Sequence, residues 1–464
     1  MNQNSRFCRA IWILSFFSFL VPYLLLVGAD YYLCQPDVYC VYLPTFSGET
    51  PITDWHSSLF MYEGRTLTNV LSSLGISKPD FRAIRIMCLL SQITIFISLY
   101  ALIRRLISHS FIYLCLFPLM GVTFLLFRHL TYCRFLFSID LVFTAALLLS
   151  VSLPLFCNRN GQCGKKNIVI WILLILSVIH LIHCRKNAIL CLPFLFIYIA
   201  SMVLPAPFGR RFVKIFFLAC ICLPFLYLIN FVLPARHTYP AIPMIVSDVK
   251  IASILRDENE KVRSLLLEKT GLTYEDGINN FNTIGPLYFS RECKMGYSKE
   301  ATDAQWRELK DYYVETIREQ PASIFFARAV QVVQFYTNGY VPFWIRHIIH
   351  RCFPGCSPYS PQWDWKPDVP FNRLGTTPER LIIYILTALA VYLSWRRIRC
   401  KGLSLPLSLS LITGTMALMY ILSFLPVTPT PNFRYHSPSM LLGCFSILCT
   451  AIYYFESRLG KQQK

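Results

Sequence analysis

Asp54 and His56 stand in "PITDWHSSLFMYEGR" (residues 51–65), a polar island in a very apolar chain that also holds Glu63 and Arg65. An ionised carboxylate at a boundary between water and apolar matter is a competent general base. His56 is placed to orient that carboxylate or to contact a phosphate. A simpler account competes with this one. After Ser57 the apolar residues Phe60, Leu67, Val70, Leu71 and Leu74 fit a helix lying flat on an interface. Asp54, Ser57 or Ser58 then serves as its N-cap, near the positive end of the helix. On this stretch alone capping is the stronger reading. Glu63 and Arg65 read as a surface ion pair of little worth.

Three basic clusters have the chemistry to hold an anion. Arg128 and Arg134 flank a short polar stretch, Arg185 and Lys186 fall in "HCRKNAI", and Arg434 and Tyr435 fall in "TPNFRYHSP". A guanidinium suits phosphate because its planar head carries several donors. Taken singly, each cation reads as a long side chain snorkelling to the headgroups. Taken together they suit a pocket for a phosphate at headgroup depth. Asp140 lies inside an apolar run, where a carboxylate is costly and faces a bundle interior or a wet cavity. Arg134 is six positions away, beyond helical pairing distance, so a partner from another helix is expected. Asp248, in "MIVSDVKIAS", reads either as lining an acceptor site or as an N-cap.

The elements that position these residues follow from composition. Of 464 residues 55% are hydrophobic and only 15% are charged, against about 25% charged in soluble domains. Mean hydropathy is +0.47. A bilayer is the natural solvent for such a chain. Apolar segments near 10–28, 83–103, 110–127, 135–156, 168–183, 188–205, 212–233, 379–395, 404–425 and 437–455 predict an all-α membrane protein with about ten spans. The fifth and sixth are short enough to be a broken or re-entrant pair.

Net charge is +19, yet the cations are dispersed beside apolar runs rather than gathered into a footprint, so nucleic acid is not an expected partner. With Arg6 and Arg9 inside, the inside segments carry Arg104 and Arg105; Arg159, Lys165 and Lys166; Arg210, Arg211 and Lys214; Arg396, Arg397, Arg399 and Lys401; and Arg458, Lys461 and Lys464. That bias predicts a multi-pass membrane protein with cytoplasmic termini. Val27-Gly28-Ala29 also reads as a signal-peptide cleavage site.

The chain divides into an N-terminal bundle (1–233, with a first outside loop 29–82), an extracytoplasmic helical insert (234–378) and C-terminal spans (379–464). In the insert, Trp306, Leu309, Tyr313 and Ile317 mark one helical face, and Pro321 suits the first turn of the next helix. Most of the 18 cysteines lie in apolar runs and read as small hydrophobes. Cys34/Cys40 and Cys352/Cys356 fit local disulfides in an oxidising compartment, with Cys293 left over. Neither Asp-x-Asp nor His-x-x-x-His occurs, so no cofactor is expected and a divalent cation is disfavoured.

Several motifs resemble those of the GT-C glycosyltransferases, which include protein O-mannosyltransferases and the aminoarabinose transferase of lipid A. "DWHSSL" is similar to the Asp/Asn-Trp-His-Pro-Pro-Leu of bacterial members, with Ser57 and Ser58 where prolines usually stand. "RKNAI", "WRELKDYYVETIREQPASIFFARAVQVVQFY" and "FRYHSPSMLL" resemble a basic motif, a helix pair and a final-span Arg-Tyr element of the same family. The resemblance implies a polytopic transferase, of a bacterial inner membrane where the bacterial members are the guide, that takes a sugar from a polyprenyl- or dolichyl-phosphate carrier, with Asp54 as base. Arg128, Arg134, Arg185, Lys186 and Arg434 would then stabilise the departing lipid phosphate; His56 would orient Asp54 or contact that phosphate, Asp248 would line the acceptor side, and Asp140 and Tyr435 would complete the substrate-binding set. The rival readings are a polysaccharide polymerase or ligase and a transporter of the cell envelope; no paired halves support the transporter.

Overall fold

A computed structural model describes residues 41–53, 57–106, 139–156, 165–185, 190–203, isolated positions between 228 and 248, 303–337, 377–402, 404–425 and 436–462. Among the described residues the regular structure is helical. The spans expected near 10–28, 110–127 and most of 212–233 lie outside them. So do Asp54, His56, Arg128, Arg134, Lys186, Arg434, Tyr435, the cleavage site, both cysteine pairs and Cys293.

The first described helices form a small aromatic clamp. Helix α1 (Leu43–Ser47) carries Pro44 in its first turn and ends at Gly48, whose φ of 90° supplies the left-handed turn. Helix α2 (Ser58–Ser73) starts at Ser57, whose hydroxyl accepts from the Phe60 amide at 3.2 Å, so serine capping holds here. Tyr42, Phe46 and Phe60 pack with ring centroids 5.3–6.2 Å apart. Gly64 is required, because a Cβ there would collide with the Phe46 ring.

In α2, where a flat interfacial helix is expected from Phe60, Leu67, Val70, Leu71 and Leu74, the residues Phe60, Met61, Gly64, Thr68 and Leu71 turn into the protein, while Val70 and Leu74 are exposed. The expected Glu63–Arg65 pair does not form. Residues two apart on a helix point to different sides. Arg65 donates to the Thr45 and Thr50 carbonyls at 2.9 and 2.7 Å, and Glu63 meets His180 at 3.4 Å.

Among the described residues five helices are long and apolar enough to cross a membrane: Pro79–Ile103, Ile139–Phe156, Arg380–Lys401, Leu405–Leu422 and Pro438–Ser457. They belong to α3 (Pro79–Leu106), α4 (Ile139–Ser152, with a 3-10 turn to Phe156), α9 (Thr377–Lys401), α10 (Leu405–Leu422) and α11 (Ser437–Gln462). The shortest spans, at 18 residues, rise about 27 Å, close to the ~30 Å hydrocarbon core. Helix α5 (Lys165–Cys184) carries a shorter apolar run, Ile168–Cys184, and α6 (Leu192–Val203) follows it. The protein is therefore a multi-pass membrane protein. Outside the spans, α7 (Asp303–Glu319) and α8 (Pro321–Thr337) form a hairpin that opens its second helix at Pro321.

Helix α4 is central, packing on α3, α5, α6 and α11, while α9, α10 and α11 form a second tight group. Lipid tails are as apolar as leucine, so polar points and small residues set the register between spans. Ser150 and Ser177 share a 2.7 Å hydrogen bond between α4 and α5, and Tyr198 of α6 donates to the Val151 carbonyl at 2.8 Å. Ser410 links to Thr450 at 2.6 Å, Ser446 donates to the Ser410 carbonyl at 2.7 Å, and Ser394 lies 3.1 Å from Thr450. Gly414 lets α10 meet both neighbours: a Cβ there would lie 2.5 Å from Ser446 Oγ and from Val391 Cγ2. Gly414→Leu is expected to wedge this group apart and destabilise the protein by about 1–3 kcal/mol. The checking measurement is a melt of the detergent-solubilised protein; an unchanged midpoint would mean that α9, α10 and α11 do not meet at this glycine.

Candidate functional site

A carboxylate in the first turn of α4 is the centre of the site. Asp140 is 2% exposed in a helix buried over 89% of its span. Arg185, one residue beyond α5, pairs with it bidentately: Nε donates to Oδ1 at 2.8 Å and Nη2 to Oδ2 at 2.5 Å. Tyr420, at the end of α10, donates to Oδ1 at 3.3 Å. Thr144 Oγ1 closes the turn beneath by donating to the Asp140 carbonyl at 2.6 Å. The partner expected from another helix is thus Arg185. A carboxylate holding both arms of a guanidinium satisfies two buried charges at once and fixes the plane of the arginine.

The sequence positions flanking the other predicted residues are brought to this same end of the bundle. Ser439, at the start of α11, donates to the Ala417 carbonyl of α10 at 2.6 Å, less than one turn from Tyr420. His436, directly after Arg434 and Tyr435, is fully buried with Nδ1 2.7 Å from the Tyr384 hydroxyl of α9. Arg380, in the first turn of α9, is the largest fully buried side chain among the described residues. On the far side, the Glu63–His180 contact sets α2 against the last turns of α5, five residues before Arg185. Tyr420, His436, Tyr384 and Arg380 were not singled out from the sequence. The readable signal for Arg380 was a cation at the head of an apolar run in "TTPERLIIYIL"; the tyrosines gave none.

A second cluster repeats the same chemistry in the insert. Asp248 is fully buried and paired with Arg328 of α8, and it accepts from the Tyr313 hydroxyl of α7 at 2.6 Å. Its carboxylate thus joins both helices of the hairpin to the segment that follows residue 245. Burial first, and then the neighbouring Asp248 carboxylate, push the Tyr313 phenol up from its ordinary value near 10. Among the described residues no group of three or more His, Cys, Asp or Glu side chains is arranged to hold a metal ion.

Two expectations follow. Asp140→Asn leaves Arg185 without its carboxylate in a nearly dry position and costs about 3–5 kcal/mol. Tyr420→Phe, which loses one long hydrogen bond, costs about 1 kcal/mol or less, and Asp140→Asn/Arg185→Met costs less than the sum of its single changes. Melting midpoints of the purified variants decide the ranking, and strict additivity would contradict the pairing. For Tyr313 the folded state keeps a proton that the unfolded chain releases near pH 10. Its contribution is therefore complete below about pH 10 and declines above it. The gap in melting temperature between wild type and Tyr313→Phe should shrink as pH rises from 9 to 11.5; a constant gap would contradict the assignment.

No family model, no curated protein and no solved structure matches this chain.

Proposed function

We propose that the protein is an integral membrane glycosyltransferase that moves a sugar from a polyprenyl-phosphate carrier to an acceptor at the outer face of the membrane. The observation that carries this reading is convergence. Asp140, Arg185 and Tyr420 meet although they are 45 and 280 residues apart in sequence. The start of α11, directly after Arg434 and Tyr435, reaches the same end. Helix α2, directly after the Asp54–His56 stretch, packs beside it. A lipid-linked donor needs such a meeting of spans, because its phosphate sits at headgroup depth while its tail stays in the bilayer.

The chemistry assigned to it is a single inverting displacement. Asp54 accepts the proton of an acceptor hydroxyl or amine while that atom bonds to the anomeric carbon. The bond from that carbon to the phosphate oxygen breaks, and the lipid phosphate leaves with its electron pair. Arg185, already neutralised by Asp140, offers oriented donors rather than net charge. Arg128, Arg134, Lys186 and Arg434 supply the positive charge that favours departure. His56 orients Asp54 or contacts the carrier phosphate, and Tyr435 lines the donor side; Asp248, buried between Arg328 and Tyr313, holds the insert together rather than touching the acceptor.

The test is Asp54→Asn, expressed in cells lacking the wild-type gene, with mass spectrometry of envelope lipids and glycans. The expected result is loss of one glycosylated product by at least about a hundredfold, with normal protein levels. An unchanged product profile would remove the assignment.

A further inference from the structure

We propose that the Lys401 end of α9, together with Tyr453 of α11, binds the phosphate of an anionic phospholipid whose acyl chain lies along the exposed face of α9. The site stands at the opposite end of the bundle from Asp140 and is independent of the transferase reading.

The sequence "WRRIRCK" (395–401) puts four cations into seven residues, and no acid occurs between Arg380 and Lys401. The facing helix contributes one carboxylate, Glu456, three residues beyond Tyr453. Steps of three and four place Ile382, Ile385, Leu389, Tyr392, Arg396 and Arg399 on one face of α9, and all six are exposed. An apolar track therefore runs along the helix and ends in two guanidiniums, which is the profile of a lipid tail followed by its headgroup.

The aromatic groups prepare the charged end. Trp395 lies 6.3 Å from the Tyr392 ring, and the Arg399 guanidinium sits 5.1 Å from the Trp395 centroid. Arg397 donates through Nε to the Tyr453 hydroxyl at 3.2 Å, with its guanidinium 5.9 Å from that ring. That contact restrains Arg397 through Nε and leaves the fork of two Nη groups, which suits a phosphate. Among the described residues, Arg396, Arg399 and Lys401 form no hydrogen bond or ion pair. The negative end of the helix dipole favours cations in the last turn, but it explains neither the aromatic stripe nor the restraint on Arg397. Only 17% of the α9 span is buried, against 50% or more in the other four spans among the described residues, so this track is open over its length.

The experiment uses the full-length purified protein and counts retained lipid by native mass spectrometry. The probes are phosphatidylglycerol and phosphatidylcholine of matched chains, with inorganic phosphate as a separate arm. The wild type is expected to retain phosphatidylglycerol about tenfold or more over phosphatidylcholine. Arg396→Gln/Arg399→Gln changes only exposed side chains and is expected to abolish most of that preference, whereas Lys310→Gln/Arg318→Gln on α7 keeps it. Tyr453→Phe, which keeps every charge but releases Arg397, is expected to lower it severalfold. Equal retention of the two lipids by the wild type would overturn the proposal, as would an undiminished preference in Arg396→Gln/Arg399→Gln. Displacement of phosphatidylglycerol by millimolar inorganic phosphate would overturn the role given to the acyl track.

Discussion

A carboxylate two residues into a buried span has to be answered from another helix, and this requirement organises the bundle. Leaving Asp140 unpaired there would cost several kcal/mol. The answer comes from Arg185, beyond the end of α5, and from Tyr420 on α10. A slip of one residue along a helix moves a side chain about 1.5 Å along the axis and 100° around it. A bidentate contact with both arms at 2.5–2.8 Å does not survive such a slip. The cluster therefore sets the relative height and rotation of α4, α5 and α10 together.

Lower in the bundle the same logic operates with weaker parts. Apolar side chains gain little by leaving lipid for protein, so leucine and isoleucine fill space without choosing a register. The choice is made by Ser150 against Ser177, by Tyr198 against the Val151 carbonyl, and by Ser394, Ser410, Ser446 and Thr450 along the seam of α9, α10 and α11. Each such bond contributes roughly 0.6 kcal/mol. Several at successive depths distinguish one packing from its neighbours, and Gly414 supplies the closeness they need.

What could be read from sequence divides along the same physical line. Hydropathy is local, so the segments near 83–103, 168–183, 379–395, 404–425 and 437–455 correspond to helices, as does the described part of 135–156. The cost of burying Asp140 is also local, and it announced a partner on another helix. Which helix was not legible, since Arg185 became adjacent only through tertiary packing. Glu63 and Arg65 were misread because nearness in sequence was taken for nearness in space. The exposure of Val70 and Leu74 on α2 was not legible, because a pattern of apolar residues does not say which side faces the aromatic clamp at Phe46. Tyr313 was legible only as part of the helical face it shares with Trp306, Leu309 and Ile317; Tyr420 and His436 gave no signal, because a tyrosine or histidine beside an apolar run is ordinary until a buried partner appears.

The arginines of the two ends show why sign of charge alone is a poor guide to role. Arg185 and Arg328 are each committed to a buried aspartate, and Arg380 is enclosed at the head of α9. Arg396, Arg399 and Lys401 stand exposed without an acid among the described residues. Arg185 and Arg328 have already given up water, and their carboxylates repay part of that cost, so each orders the protein around it. An exposed arginine keeps its water until an anion arrives, and its remaining attraction is available for binding. The first kind holds the geometry of a site; the second kind supplies the force that fills one. A chain that places them at opposite ends of the same spans separates these two tasks in space.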